Sequence, residues 1–128
     1  MITQTKKQTI LIVEDDIPEL NALRDKLINE GFSTFEAKNG EEGLGVALLQ
    51  HPDLILLDIV MPVMDGITML KKLREDEWGK GVKVIILTNL SDVEKVSEAI
   101  MQGSHDYLVK SDWKLEDVVI KIRERLAE

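Results

Sequence analysis

Asp53-Leu54-Ile55-Leu56-Leu57-Asp58-Ile59-Val60-Met61-Pro62-Val63-Met64-Asp65-Gly66 carries an apolar run that stops on a carboxylate, followed by a proline-bearing loop and a glycine. A continuous Leu/Ile run of this length suits a strand buried on both faces, as in a parallel sheet covered by helices. Ligands of such sheets bind outside the carboxyl ends of the strands. Asp58 stands at that end, where the chain leaves the core.

Working outward, Thr9-Ile10-Leu11-Ile12-Val13 is a second continuously apolar, β-branched run, and it ends in Glu14-Asp15-Asp16. Asp16-Ile17-Pro18-Glu19 reads as a helix start, with Asp16 as cap, Pro18 in the first turn and Glu19 at the capping-box position. Leu20, Leu23 and Leu27 repeat at helical spacing, and Gly31 ends that helix. Phe32 to Ala37 reads as a short strand, and Asn39-Gly40 as a turn. Glu41 to Gln50 follows as a helix weakened by Gly43 and Gly45, with Leu44, Ala47 and Leu48 as its apolar residues, ended by Pro52.

After the Pro62 loop, Gly66 to Glu77 forms a helix with Ile67, Met69, Leu70 and Leu73 inward. Val82 to Leu87 is a strand ending at Thr88. Ser91 or Asp92 caps a helix to about Gln102, with Val93, Val96 and Ile100 on one face. Tyr107-Leu108-Val109 is a strand ending at Lys110. Trp113 to Leu126 forms the last helix, with Leu115, Val118, Val119, Ile122 and Leu126 inward. Strands alternating with helices define an α/β doubly wound fold, a (βα)5 three-layer sandwich. Right-handed crossovers leave strand order open. The order 2-1-3-4-5 centres the three most apolar strands.

The 128 residues fit one domain, read as 1–128 with a polar N-terminal extension over 1–8 and no output domain. No run approaches the length of a membrane span, and the N-terminus has no apolar signal core. The chain has no cysteine, which removes disulfides and thiolate metal sites. A net charge of −8 gives no overall attraction for nucleic acid or anionic membranes. Cytoplasmic localisation and no direct nucleic-acid or membrane partner are therefore expected.

The strong strands end on Glu14-Asp15, Asp58, Thr88 and Lys110, and in a parallel sheet these ends share one edge. Three carboxylates against one lysine leave a surplus of negative charge. Two unit charges 4 Å apart repel by roughly 4 kcal/mol at an effective dielectric of 20. The cluster must therefore raise its own pKa values or recruit a cation. Oxygen ligands without His or Cys favour Mg²⁺, with Mn²⁺ as the alternative, and Mg²⁺ is commonly completed by phosphate oxygens. An Asp can act as a nucleophile and form an aspartyl phosphate. Asp58 is the best placed, with Lys110, the Thr88 hydroxyl and the cation each able to hold one phosphoryl oxygen.

At these residues the chain resembles the receiver domain of two-component response regulators over essentially its whole length. The matching motifs are Ile12-Val13-Glu14-Asp15-Asp16, Leu57 through Gly66, Ile86-Leu87-Thr88 and Tyr107-Leu108-Val109-Lys110. The resemblance implies Asp58 as phosphoacceptor and Glu14 and Asp15 in the acidic pocket. It implies Mg²⁺ ligated by Asp15, Asp58 and the Val60 backbone carbonyl. It also implies Thr88 and Tyr107 as a switch pair and Lys110 as the phosphoryl-binding cation. The expected donor is a sensor histidine kinase or histidine phosphotransfer protein. The downstream target is expected on the face made by helix 4, strand 5 and helix 5, and a phosphorylation-dependent dimer is compatible with this. Such a protein is a phosphoacceptor that assists its own phosphorylation and dephosphorylation, not an enzyme.

The chain departs from the pattern at Ser111, where the family usually has proline, so the slow cis/trans step is absent. Asn89 replaces a commonly very small residue and narrows access to Asp58. Val60 and Leu90 are apolar and position no attacking water, which predicts a long-lived phosphoryl group. A haloacid-dehalogenase-type phosphatase needs a second Asp where Val60 stands. A dinucleotide site needs glycines that Gly40, Gly43 and Gly45 do not supply at that spacing, and no P-loop is present. A flavodoxin needs a Ser/Thr-rich phosphate loop. A pseudo-receiver, acting only as an interaction module, is the remaining alternative. His51 and His105 read as surface residues, and Trp113 as a fluorescence reporter near Lys110.

Overall fold

The computed structural model describes residues 7–88, 93–103, 106–110 and 114–128. Asn89, Leu90, Ser91, Asp92, His105, Ser111, Trp113 and most of the N-terminal extension lie outside them. The elements are β1 (Thr9–Val13), α1 (Ile17–Asn29), β2 (Ser33–Ala37), α2 (Gly40–Gln50) and β3 (Leu54–Asp58). Then follow α3 (Gly66–Glu75), β4 (Lys83–Thr88), α4 (Val93–Met101), β5 (Asp106–Val109) and α5 (Leu115–Leu126). The strands form one sheet in the order β2-β1-β3-β4-β5, and every pairing is parallel. This is the flavodoxin-like doubly wound architecture expected from the alternation of strands and helices.

Side chains alternate across the sheet, so β1, β3 and β4 each feed two cores. Leu11, Val13, Ile55, Leu57, Val84 and Ile86 face α2, α3 and Ala99 of α4. Ile10, Ile12, Leu54, Leu56, Ile85 and Leu87 face α1 and α5. The register pairs Val13 with Leu57, Asp58 with Leu87, and Thr88 with Val109, which brings the strand ends to one rim.

Two helices each depart from the expected face at one residue. In α2 the buried line is Gly40, Gly43 and Ala47, while Leu48 is 38% exposed. A Cβ on Gly43 would lie 2.9 Å from the Val13 side chain. The glycines that weaken the helix let it settle against β1. In α4, Val96 packs against the core as expected, but Ala99 is the buried residue among those described and Ile100 is half exposed. The small alanine brings the helix close to the sheet.

Candidate functional site: an acidic pocket on the strand rim

Glu14 follows β1 directly, and its backbone N–H donates to Ala37 at 3.0 Å, extending the ladder by one residue. Asp58 is the last residue of β3 and is 5% exposed. Its Oδ1 accepts from the Ile59 N–H at 2.8 Å. Behind it the loop is fixed twice, by Gly66 N–H to the Ile59 carbonyl and by Gly40 N–H to the Met64 carbonyl, both at 2.8 Å. Thr88 ends β4 and is buried. Lys110 follows β5, and its N–H donates to the Thr88 carbonyl at 2.6 Å.

Of the predicted residues, Glu14, Asp15, Asp58 and Lys110 come together. Lys110 Nζ lies 2.8 Å from Glu14 Oε1 and 3.2 Å from Asp58 Oδ2. Glu14, Asp15 and Asp58 each offer a carboxylate oxygen within 4.8 Å of the others. That oxygen-only donor set fits a hard divalent cation. Val60, whose carbonyl was expected to complete the set, is half exposed at the same loop. Tyr107 points outward and is 43% exposed.

Burial, and then the neighbouring Glu14, push the Asp58 carboxyl up to about 8. Burial also acts to raise Glu14, but hydrogen bonds from Lys110 and its other partners outweigh it and hold Glu14 below the usual range. Burial acts to lower Lys110, yet Glu14, Asp58 and Glu19 together raise it. The pocket therefore favours an ionised Glu14 and a charged Lys110, and holds the Asp58 carboxyl well above the usual carboxylate range. Burial and Glu14 likewise raise Asp15.

Sequence reading missed one member. Glu19 was expected to close a capping box, reaching back to the Asp16 N–H. Asp16 does cap α1, accepting from the Glu19 N–H at 3.1 Å. The Asp16 N–H, however, donates to Glu14 Oε2 at 3.2 Å. The Glu19 side chain turns instead to Lys110 Nζ, with Oε2 at 3.2 Å. The available signal was its position one helical turn beyond Asp15, which returns it over the end of β1.

Residues 10–123 match the response regulator receiver domain, and the chain belongs to that family. It is 35% identical over 122 residues to the DNA-binding response regulator MtrA of Mycobacterium tuberculosis, covering 95% of this chain and 52% of that protein. It is 35% identical over 107 residues to the probable transcriptional regulator ycf27 of Cyanophora paradoxa, covering 84% of this chain and 44% of that protein. The chain thus spans about half the length of these curated relatives. Their names lend no support to the expected absence of nucleic-acid contacts.

Among solved structures, a putative response regulator from Chloroflexus aurantiacus superposes with a TM-score of 0.89 at 29% identity, over 96% of this chain and 100% of that one. The receiver domain of the sensor histidine kinase PA1611 from Pseudomonas aeruginosa superposes with a TM-score of 0.88 at 26% identity, over 96% and 100%. It was solved with a magnesium ion coordinated in its active site cleft. Among the described residues no helix is long and apolar enough to cross a membrane.

Proposed function

We propose that this receiver accepts a phosphoryl group on Asp58 from a phosphohistidine of a sensor histidine kinase or phosphotransfer protein. The supporting observation is Lys110 Nζ set 3.2 Å from Asp58 Oδ2 inside a pocket of buried acid. An Asp58 oxygen attacks phosphorus in line, forming the O–P bond as the histidine N–P bond breaks. Lys110 neutralises a phosphoryl oxygen, and Thr88 offers its hydroxyl to another. Mg²⁺, held by Asp15, Asp58 and the Val60 carbonyl with Glu14 beside them, would offset the remaining phosphoryl charge. The chain is modified rather than turning over, so it acts as a phosphoacceptor and not as an enzyme.

Phosphorylation brings a group of about −2 charge with further acceptor oxygens to the rim. Thr88 moving toward it opens room for Tyr107 to turn inward. The surface of α4, β5 and α5 then changes for a downstream target or a second copy of the chain. Val60 places an apolar side chain where a polar one could orient water, which favours a long-lived phosphoryl group.

Incubation with acetyl phosphate and Mg²⁺, followed by intact mass measurement, tests this. An increase of one phosphoryl group in the wild type and none in Asp58→Asn is the expected result. No Asp58-dependent adduct leaves the pseudo-receiver as the better reading.

A further inference from the structure

Lys110 Nζ meets carboxylates from three separate elements: Glu14 after β1 at 2.8 Å, Asp58 of β3 at 3.2 Å and Glu19 of α1 at 3.2 Å. An ammonium has three N–H donors, and three partners match that capacity. Two of the three, Glu14 and Asp58, also belong with Asp15 to the oxygen cluster suited to a cation. Glu19 does not. A divalent cation therefore competes with Lys110 for Glu14 and Asp58, and Glu19 is the carboxylate that stays with the lysine.

The placement of Glu19 is built in. Leu20, the next residue, is 2% exposed in the core between α1 and the sheet, which fixes this turn of the helix. The Glu19 side chain keeps 23% of its surface and Lys110 keeps 16%, so the pair is shielded more than an ordinary surface ion pair. Glu19 also leaves the capping-box role to reach the lysine, because Glu14 takes the Asp16 N–H.

We propose that Glu19 is a positioning residue. It holds Lys110 against α1 so that Glu14 and Asp58 are released to a divalent cation while the ammonium stays within reach of the incoming phosphoryl group. This rests on the phosphoacceptor reading above. Without Glu19, the counter-ions left to Lys110 among its observed partners are the same carboxylates the cation needs, and the lysine stays on them.

A double-mutant cycle on the intact chain separates positioning from a simple field effect, because both roles weaken metal binding when Glu19 is lost. Mg²⁺ is titrated by calorimetry into wild type, Glu19→Gln, Lys110→Met and the double variant, with circular dichroism confirming that each is folded. Glu19→Gln is expected to weaken Mg²⁺ binding about 3- to 10-fold in the wild-type background and less than about 2-fold in the Lys110→Met background. An equal loss in both backgrounds, or no loss in either, overturns the proposal. At saturating Mg²⁺, Asp58 phosphorylation by acetyl phosphate is expected to slow about 3- to 10-fold in Glu19→Gln with an unchanged half-saturating donor concentration. A wild-type rate there overturns the positioning role but leaves the phosphoacceptor reading standing, since that depends on Asp58→Asn alone.

Discussion

β3 and β5 belong to the same sheet, separated only by β4, yet they are packed in opposite ways. All five residues of β3 are buried, Asp58 included, whereas no residue of β5 is. Beside β5, α4 exposes half of Ile100 and 85% of Met101. Buried strands open only at free energies near the global stability, while sparsely packed edges open locally. Asp58, the proposed phosphoacceptor, therefore sits where opening is costly, and Tyr107 and α4 sit where it costs less. A switch needs both: a charge held still and a surface able to respond to it.

The sharpest test of this contrast is a pair of alanines. A Cβ at Gly66 would lie 2.1 Å from the Asp58 carbonyl oxygen, so β3 and α3 must separate to admit it. Gly66→Ala is expected to destabilise by about 3 kcal/mol in urea unfolding. Ile100→Ala, on the open face of α4, is expected to change stability by less than about 0.5 kcal/mol. Similar values for the two would break the distinction between a rigid centre and a yielding edge.

Arg74 joins the two regions. From the last turn of α3 it donates to the carbonyls of Gly79 at 2.7 Å, Val82 at 2.8 Å and Gln102 at 3.0 Å, and also to that of Gly103. It thereby ties the α3–β4 connection to the end of α4. Burial lowers its pKa, but a guanidinium stays charged. Arg74→Ala leaves these carbonyls without that donor and is expected to cost about 2 kcal/mol. Hydrogen exchange should accelerate at the C-terminal turn of α4 well before it does in β3. Uniform acceleration across the sheet would show that α4 is not separately anchored.

A pH-dependent effect follows from Asp58 itself. Its carboxyl titrates near 8 in the fold against 3.8 when free, because it is buried and lies beside Glu14. The folded chain then holds a proton that the unfolded chain has lost. The stability tied to that proton is complete below pH about 4 and declines as pH rises toward about 8. Asp58→Asn removes this loss, so its advantage over wild type should grow steadily between pH 5 and pH 8. Mg²⁺ should bind wild type more tightly as pH rises over the same window, since binding displaces the proton. A constant difference between the two proteins across this range would place the proton elsewhere.

Why some of this was legible in the sequence and some was not has a physical basis. β1, β3 and β4 are buried on both faces and so write their identity as unbroken apolar runs. Glu14, Asp15, Asp58, Thr88 and Lys110 could be gathered in advance because each ends a strand, and parallel strands share a rim. Glu19 was hidden because a local rule, the capping box, accounted for it before any long-range partner was known. Arg74 was hidden because its partners are backbone carbonyls, which leave no residue signature. The faces of α2 and α4 were misjudged at Leu48 and Ile100. At both, the residue against the sheet is a glycine or alanine chosen for close approach, and size alone did not reveal it.

The smallest expected effect tests whether the rigid end also carries strain. Val63 has φ 69°, a left-handed conformation that a β-branched side chain strongly disfavours. The Met64 N–H donates to the Pro62 carbonyl at 2.7 Å, closing a three-residue turn with Val63 at its centre. The side chain is 76% exposed and gains little packing in return. The turn is held from both sides by the Gly40 and Gly66 hydrogen bonds, which is how a conformation worth about 1–3 kcal/mol of strain persists. Val63→Gly removes the steric conflict but adds chain entropy to the unfolded state, about 0.5–1 kcal/mol. The net expectation is a stabilisation of about 0.5–1 kcal/mol in urea unfolding, with Val63→Asn changing in the same direction. A fall in stability for both would mean the loop is relaxed as it stands. A rise would place strain five residues from Asp58, on the half of the molecule that packing otherwise holds still.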